Sequence, residues 1–496
     1  MEQLSGTDSL LLYEEKGNVY NHISGLGLYD SASVKGGLRF RDILKHFERR
    51  LNTSKVFRRR LVTVPHAVDR PYWIDDPDVD IEFHVRHIAL PKPGDWRQLM
   101  IQVARIHSRA LDLAKPLWEI YVIEGLEQIP GLPDGTFAVL YKFHSAALDG
   151  QAIANLIRDV HANAAHADEP LPAHQVNVTD REPSTLQLYA FAISHSARRT
   201  LKVTGLYAKT LNKLTRLGLK SALARVRQLK ETPASKQAIA YQRAPECRFN
   251  AIVSPARVVE AVDFPVAQIN RIRECVSHAS IGDVFLTAVG GALRHYLKRK
   301  GELPAETLRA LMPVNLREPG FAGTAGPSAA GVPVSLCTDI RDPLQRLRAV
   351  HEHHYQARHG RVAELGKELL PDLINELPNF AVEPLLQHGL RKQVNCIVSH
   401  ITGPSSAMYV GGAKALRFYP VGRVLNHAAL NVSAFTYVDN LWVSIVACRS
   451  ALPDPAFFAE CLRASFDELL AAASKRSSGR RKPVIAIEPA TVEVTA

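Results

Sequence analysis

The chain has 496 residues, of which 46% are hydrophobic and 22% are charged. This balance is typical of a globular protein and excludes a disordered or fibrous chain. The length predicts two or three domains with sizeable cores, and the formal net charge of +12 favours anionic partners such as phosphorylated cofactors, acidic lipid surfaces or nucleic acid.

The beginning of the chain and the cysteines indicate the compartment. The first residues have no basic region followed by an apolar core, so they do not predict a signal peptide. No run approaches the roughly 20 apolar residues that span a bilayer. The six cysteines form no CxxC pair, which argues against a zinc site or a disulfide framework. We therefore expect a cytoplasmic protein with free thiols.

A strand, a turn and a helix are predicted in the middle of the first half. Residues 137–143 are mostly apolar and predict a strand. The dipeptide Asp149-Gly150 predicts a turn, and residues 151–160 have helical spacing. The stretch that begins at His144 therefore lies at a strand–turn–helix junction.

A basic segment follows a loop predicted at residues 161–185. Between Arg198 and Lys230 there are ten Lys or Arg residues and no Asp or Glu, and apolar residues recur on one helical face. We favour a connector helix that packs on the protein and exposes a cationic face. The alternative is a helix that rests on an anionic lipid surface.

A second mixed unit is predicted from about residue 251, and the chain contains no internal repeat of fixed period. Asp283 to Arg299 has helical periodicity, Asp439-Asn440 predicts a hairpin turn, and the segment after Lys475 is expected to be a flexible tail. Strands are predicted at residues 258–262, 429–437 and 441–447.

The stretch His144-Ser145-Ala146-Ala147-Leu148-Asp149-Gly150 gains significance from the blocks around it. Pro116-Leu117-Trp118 lies upstream, and further blocks follow in order through nearly the whole chain. They include Leu4-Ser5-Gly6-Thr7-Asp8, Gly282-Asp283-Val284, Met312-Pro313-Val314-Asn315 and Ser399-His400-Ile401-Thr402-Gly403-Pro404. Together they resemble the bacterial wax ester synthase/diacylglycerol acyltransferase family. Its superfamily also contains chloramphenicol acetyltransferase and the condensation domains of peptide synthetases.

The resemblance implies an α/β fold in which two chloramphenicol-acetyltransferase-like domains face each other across a central channel. On this basis we expect an N-terminal domain at 1–185, a basic helical connector at 186–245, a C-terminal domain at 246–475 and a flexible tail at 476–496.

The resemblance also implies the activity, an O-acyltransferase that moves a fatty acyl group from acyl-CoA to diacylglycerol or a long-chain alcohol. Acyl-CoA is then a co-substrate, and no bound cofactor, metal or nucleic acid is expected. Peripheral contact with an anionic membrane or a lipid droplet is compatible with the charge. Two alternatives stay open: a catalytically impaired member that binds acyl-CoA or lipid, and an acyltransferase with a non-CoA donor.

The family motif is His-His-x-x-x-Asp-Gly, and its second histidine is the general base. An alcohol does not ionise at neutral pH, so a positioned base must accept its proton during attack. By resemblance, Asp149 and Gly150 shape the turn and His144 takes the first histidine position. Ser145 occupies the base position, where serine cannot replace histidine. If the strand continues, adjacent side chains alternate, so we expect His144 to be packed rather than to act as the base.

Two further departures are expected near the channel. Gly282 replaces the asparagine that the family places before Asp283, and His400 stands in the Ser-Asn block. His400 is an alternative base, and so is His427. A nucleophilic Ser145 is the last alternative, because it needs an adjacent activating base. The resemblance assigns the acyl channel to Pro116, Leu117, Trp118 and Asp283, although Leu and Trp there also fit a hydrophobic core.

Overall fold

The computed structural model describes most of the predicted N- and C-terminal domains. The described residues are 1–148, 156–157, 159–163, 182–195, 243–314, 330–359 and 393–480. The predicted turn residues Asp149 and Gly150 and the basic segment between Arg198 and Lys230 lie outside them.

The strands belong to three sheets. In chain order they are β1 (Glu2–Gln3), β2 (His22–Asp30), β3 (Arg59–Val62), β4 (Tyr72–Asp75), β5 (Val85–Ala89), β6 (Trp118–Glu124), β7 (Phe137–His144), β8 (Arg257–Pro265), β9 (Arg309–Val314), β10 (Ala330–Ser335), β11 (Cys396–Thr402), β12 (Tyr409–Val410), β13 (Ala413–Val421), β14 (Leu430–Tyr437) and β15 (Asn440–Cys448).

The helices flank these sheets. They are α1 (Gly6–Tyr13), α2 (Phe40–Arg50), α3 (Ile81–His84), α4 (Trp96–His107), α5 (Val266–Arg273), α6 (Ile281–Lys300), α7 (Pro343–His359) and α8 (Pro455–Arg480). Residues 185–195 are helical as well.

The N-terminal sheet has six strands in the order β12-β13-β2-β7-β6-β5. Three further strands from the first 75 residues form a small sheet in the order β1-β4-β3. β7 is a central strand, paired antiparallel with both β2 and β6. All eight of its residues are buried, which explains its almost continuous apolar sequence.

The C-terminal sheet has six strands in the order β10-β9-β11-β14-β15-β8. β11 runs parallel to both β9 and β14, so the carboxyl ends of these three strands lie at one edge. β14 and β15 form the predicted hairpin, and the pairing of Tyr437 with Asn440 places the two-residue loop at Val438-Asp439, one position before the predicted one.

Helix α6 begins with a complete cap. The hydroxyl of Ser280 accepts a hydrogen bond from the Asp283 N–H, and the Asp283 carboxylate accepts one from the Ser280 N–H. Gly301 ends the helix in the left-handed conformation, with φ of 71°. Gly290 and Gly291 on this helix approach Leu336 and Ser465 too closely for a side chain to fit without rearrangement.

One strand from the second half of the chain belongs to the N-terminal sheet. β13 pairs antiparallel with β2 from Lys414 opposite Asp30 to Val421 opposite Ser24. The ring of Tyr419 on β13 also packs edge-on against Trp442 of the C-terminal sheet, with centroids 5.3 Å apart. The segment predicted as the C-terminal domain therefore contributes to both sheets, and one large hydrophobic core includes residues from both.

The elements predicted from periodicity are confirmed where they are described. β7, β8 and β15 contain the predicted strands, β14 begins one residue after its predicted start, and α6 contains the predicted helix. Of the helix predicted at 151–160, residues 156–157 and 159–160 are described and are helical. Helix α8 extends to Arg480, so the chain is regular for several residues into the segment expected to be a flexible tail.

Candidate functional site

The predicted motif begins where β7 ends. His144 is the last residue of the strand, and residues Ser145–Ala147 form a single 3₁₀ turn. The Ser145 N–H donates to the carbonyl of Asn21 at 2.7 Å, and the Leu148 N–H donates back to the Ser145 carbonyl at 3.2 Å. These hydrogen bonds hold the turn that ends β7 at His144.

His144 is fully buried, and both of its ring nitrogens have partners. Nδ1 accepts a hydrogen bond from the Ala146 N–H at 3.0 Å. Because Nδ1 is the acceptor, Nε2 carries the proton and donates it to Oε1 of Glu15 at 3.1 Å. The same carboxylate oxygen accepts from the Asn21 N–H at 2.5 Å. His144 thus fixes the turn and has no free lone pair in this arrangement.

Ser145 is partly exposed, and among the described residues nothing forms a hydrogen bond with its hydroxyl. The only neighbouring motif histidine, His144, directs its nitrogens at Ala146 and Glu15. The geometry therefore offers Ser145 no activating base from within residues 144–148.

A cluster of buried polar side chains lies beside His144. Lys142 is fully buried, donates to the carbonyl of Arg109 at 2.6 Å and lies 3.6 Å from Glu119. Burial lowers the pKa of Lys142 to about 8, although Glu119 opposes this shift. Burial also lowers the pKa of His107 to about 3 and that of His22 well below its usual value. Both imidazoles are therefore neutral at pH 7.

The Pro-Leu-Trp block adjoins the motif through the main chain. The Leu117 carbonyl accepts from the His144 N–H at 3.0 Å. Trp118 is buried, donates from Nε1 to the carbonyl of Phe57 at 3.1 Å and stacks on His84 with ring centroids 4.2 Å apart. Leu117 lies in a small apolar cluster against which Ala147 of the motif packs. The side chains of Leu117 and Trp118 are thus core residues that support the motif.

A second constellation surrounds the first turn of α6. The Asp283 carboxylate contacts two histidines of α7: Oδ1 lies 2.5 Å from Nδ1 of His354, and Oδ2 lies 3.0 Å from Nδ1 of His351. Burial would raise the pKa of Asp283, but hydrogen bonds from His354, the Ser280 backbone and His351 outweigh it and lower the pKa to about 2. Asp283 is therefore ionised at neutral pH.

His400 faces the same constellation from β11. Its Nε2 lies 2.8 Å from the Thr436 hydroxyl. A Cβ built on Gly282 would lie 3.7 Å from Cε1 of His354 and 3.9 Å from Nδ1 of His400. The residue that replaces the family asparagine thus leaves room for a side-chain carbon between two imidazoles.

Hydrogen bonds link the neighbourhood of the motif to the strand that carries His400. The chain of contacts runs through Asn21, Arg423, Asn431, Ser433 and Ser399. Asn21 is the residue whose carbonyl holds the Ser145 N–H, and Ser399 immediately precedes His400. Two of the sequence-predicted positions, Ser145 and His400, are therefore joined through buried and partly buried polar groups.

His427, the other alternative base, is exposed and has a positive φ of 66°. Its N–H donates to the carbonyl of Ala251 at 3.0 Å, and its own carbonyl accepts from Asn250 at 3.0 Å. These are main-chain contacts that hold a loop.

Sequence reasoning missed His354. A signal was present, because His351 and His354 stand three residues apart and share a helix face. Their common partner Asp283 lies 71 positions from His354, a pairing that only the tertiary structure reveals.

Within the described ranges, no cluster of three or more His, Cys, Asp or Glu residues is arranged to hold a metal ion. Likewise, none of the helices described here has the length and apolar character needed to cross a bilayer. All six cysteines are unpaired.

Comparisons with known proteins agree with the motif order. Residues 4–285 match the wax ester synthase/diacylglycerol acyltransferase catalytic domain, and residues 326–470 match the WS/DGAT C-terminal domain. A protein of Mycobacterium tuberculosis (strain ATCC 25618 / H37Rv) that carries the name of a diacylglycerol O-acyltransferase is 28% identical over 490 residues, which cover 96% of this chain and 99% of the relative.

Solved structures share the fold. The wax ester synthase/diacylglycerol acyltransferase from Marinobacter aquaeolei VT8 superposes with a TM-score of 0.65 at 23% identity, covering 95% of this chain and 100% of that one. The first condensation domain of the calcium-dependent antibiotic synthetase gives 0.55 at 14% identity, covering 95% and 96%. With family models matching both parts of the sequence, the chain belongs to the wax ester synthase/diacylglycerol acyltransferase family.

Proposed function

We propose that this chain is an O-acyltransferase that moves a fatty acyl group from acyl-CoA to a lipid alcohol. The acceptor is diacylglycerol or a long-chain fatty alcohol, and the product is triacylglycerol or wax ester. The observation that carries the proposal is the match of the catalytic-domain model over residues 4–285 together with the C-terminal model over residues 326–470.

The reaction is a direct transfer within a ternary complex. The alcohol oxygen attacks the thioester carbonyl, a general base accepts the hydroxyl proton, and CoA leaves as its thiol. The net charge of +12 suits the phosphates of CoA, which are anionic at neutral pH. The fatty chain requires an apolar channel, and the core-packed block of Pro116, Leu117 and Trp118 is proposed to support its wall.

The motif is proposed to shape the active-site turn. By resemblance, this shaping role is assigned to Asp149 and Gly150, and His144 supports the preceding residues through Ala146 and Glu15. Ser145, at the base position, contributes a hydroxyl that can order a water molecule. Because neither His144 nor Ser145 offers a free basic lone pair, the base has to come from elsewhere in the chain. His400 is the sequence-predicted substitute.

The decisive assay measures CoA release by purified protein supplied with palmitoyl-CoA and either hexadecanol or diacylglycerol. We expect turnover clearly above that of heat-inactivated protein, with ester product formed in equal amount. Absence of turnover with several alcohols would overturn the proposal.

The Ser145→His variant tests the altered motif, with Ser145→Ala as its matched control. If the turnover of Ser145→His exceeds that of the native protein by orders of magnitude, the native protein is a catalytically weakened acyltransferase. A fall from substantial native activity would show that Ser145 belongs to a working mechanism of its own.

A second candidate function is a catalytically impaired family member that binds acyl-CoA or lipid. The specific observation in its favour is the engagement of both His144 nitrogens beside a serine at the base position. The comparisons lend it no support, because the relatives carry acyltransferase names. Tight palmitoyl-CoA binding without any turnover is the result that would favour it.

We also propose peripheral contact with an anionic lipid surface. In the helical residues 185–195, Leu188 and Ala192 are buried against the small sheet, whereas Leu186 is 81% exposed and Ile193 is 72% exposed. The strongly basic segment follows directly in the sequence. Exposed apolar side chains beside cationic ones are typical of a lipid-surface contact. Sedimentation with vesicles should show stronger binding to anionic than to zwitterionic lipid, and equal binding would contradict the proposal.

A further inference from the structure

Asp283 and His354 form a carboxylate–imidazole pair. The carboxylate is ionised and can only accept hydrogen bonds, so the proton shared at 2.5 Å belongs to Nδ1 of His354. This fixes the tautomer and leaves the lone pair of His354 on Nε2. A histidine whose one nitrogen is oriented by a carboxylate and whose other nitrogen is free is the arrangement that enzymes use for a general base.

The free nitrogen of His354 points to a missing partner. Nε2 is buried and has no hydrogen-bond partner among the described residues, and His354 as a whole is only 4% exposed. Buried polar atoms are nearly always paired, and an orphaned one requires an explanation such as a catalytic role or a bound group. A substrate hydroxyl would supply the missing donor.

Gly282 lies beside the imidazoles of both His354 and His400. A side-chain carbon at this position would meet Ser280, His354 and His400 at ordinary contact distances of 3.5 to 3.9 Å. Nε2 of His400 contacts the Thr436 hydroxyl, and no described residue forms a hydrogen bond with its Nδ1. Burial and then the neighbouring His354 lower the pKa of His400 to about 4, so it stays neutral at pH 7.

The location in the fold also favours a ligand site. His400 lies near the carboxyl end of β11, which runs parallel to β9 and β14. Ligands in α/β sheets bind outside the carboxyl ends of parallel strands. The first turn of α6, which carries Gly282 and Asp283, lies close to this end, because a Cβ on Gly282 would be 3.9 Å from Nδ1 of His400.

We propose that His354, oriented by Asp283, is the general base of the acyl transfer, and that the acceptor alcohol binds beside Gly282 between His354 and His400. The inference rests on the proposed function and names the residue that the altered motif lacks. Asp283 is then a positioning residue, and His400 is a hydrogen-bond partner of the acceptor oxygen.

The proton balance of the step is complete. The alcohol oxygen forms a bond with the thioester carbonyl carbon while its proton passes to Nε2 of His354. The tetrahedral intermediate collapses, the carbon–sulfur bond breaks, and the imidazolium returns the proton to the departing thiolate. The products are the ester and CoA thiol, and His354 is regenerated as the neutral base.

The test compares His354→Asn with His351→Asn. An Asn amide can donate to Asp283 much as Nδ1 does but has nothing in place of Nε2. His351 contacts the same carboxylate and is more exposed, with 23% of its side chain accessible, so its variant is a matched control. Loss of a general base typically lowers the rate about 10²- to 10⁴-fold. We expect that loss in kcat for His354→Asn, a change of a few-fold for His351→Asn, and unchanged palmitoyl-CoA binding in both.

The pH profile separates catalysis from structure. His354 faces Asp283 on α6, His400 on β11 and His351 on its own helix. The acid limb of kcat/KM should disappear in His354→Asn and should shift in Asp283→Asn, which keeps an acceptor but removes the charge. A purely structural role would lower the amount of folded enzyme without altering the limb.

A second variant avoids any change to the pair. Gly282→Ala places a methyl group in the proposed acceptor space at ordinary contact distances, so the fold should persist. We expect KM for hexadecanol to rise several-fold with palmitoyl-CoA binding unchanged. If the native enzyme turns over and both His354→Asn and Gly282→Ala retain native kinetics, the base assignment is wrong while the acyltransferase function stands. If the native enzyme is inactive with every alcohol, the base assignment and the acyltransferase proposal both fail.

Discussion

The packing of helix α6 can be tested at Gly290, where the backbone of Leu336 leaves no room for a side chain. An ideal Cβ on Gly290 would lie 2.3 Å from the carbonyl oxygen of Leu336, a distance that real Cβ atoms essentially never show. The obstructing atom belongs to buried backbone directly after β10, so it cannot rotate away as a flexible side chain could. Gly290→Ala must therefore displace the helix from the C-terminal sheet.

The magnitude follows from two opposing terms. Overpacking a well-packed core costs about 1–3 kcal/mol, whereas replacing glycine by alanine in a helix stabilises it by about 0.5–1 kcal/mol. With mid-range values of both terms, Gly290→Ala should lower the free energy of unfolding by about 1–2 kcal/mol. Gly282→Ala, on the same helix, meets nothing closer than 3.5 Å and should be neutral or slightly stabilising.

Scanning calorimetry of the two variants checks the reasoning. At about 2–4 °C per kcal/mol for a unit of 150–250 residues, Gly290→Ala should melt roughly 2–8 °C below the native protein. Gly282→Ala should melt at or above the native temperature. If Gly290→Ala melts as high as Gly282→Ala, the close approach of α6 to Leu336 does not hold in solution.

Three other substitutions probe the charged and buried groups of the two constellations. The pKa of Asp283 is about 2 when folded against 3.8 for the free group, so its contribution to stability is present above about pH 4 and is lost as the pH falls towards 2. The gap in Tm between the native protein and Asp283→Asn should shrink over this range, and a gap independent of pH would contradict the assignment. The pKa of Lys142 falls from 10.5 to about 8, so the unfolded chain binds a proton that the folded chain releases between these values. The native protein should therefore gain stability relative to Lys142→Met as the pH rises through this window, and parallel melting curves would refute the shift. Glu15→Ala removes the acceptor of the buried His144 Nε2–H and should cost about 1–3 kcal/mol in denaturant unfolding. Glu15→Gln keeps an acceptor and should cost clearly less, and equal losses would show that the hydrogen bond is unimportant.

Local patterns in the sequence predict much of the fold. β7, β14 and β15 are apolar enough to be identified from composition, and α6 follows from its periodicity. The membership of β13 in the N-terminal sheet has no such signal, because its partner β2 lies almost 400 positions earlier in the chain. Pairings between distant segments depend on tertiary packing, which hydrophobic periodicity does not encode.

The candidate site likewise has one part that the sequence predicts and another that only the tertiary structure reveals. The motif around His144 is recognisable because further family blocks surround it in order, and strand alternation predicts a packed His144 rather than a base. The structure adds the partners that decide its chemistry, Ala146 and Glu15, of which only Ala146 is a sequence neighbour. The pair of Asp283 and His354 joins two helices, so neither its existence nor its free nitrogen could be read from the sequence.

The placement of β13 restricts how the two halves can behave. Any rotation of one sheet against the other would carry β13 along with β2, so the chain would have to bend in the segments between β11 and β12 and between β13 and β14. Separating the N-terminal half from the segment that carries β13 would leave one edge of β2 without its hydrogen-bonding partner strand. Bare edges recruit strands from other molecules, so an isolated N-terminal fragment would aggregate unless a peptide spanning 413–421 were supplied alongside it.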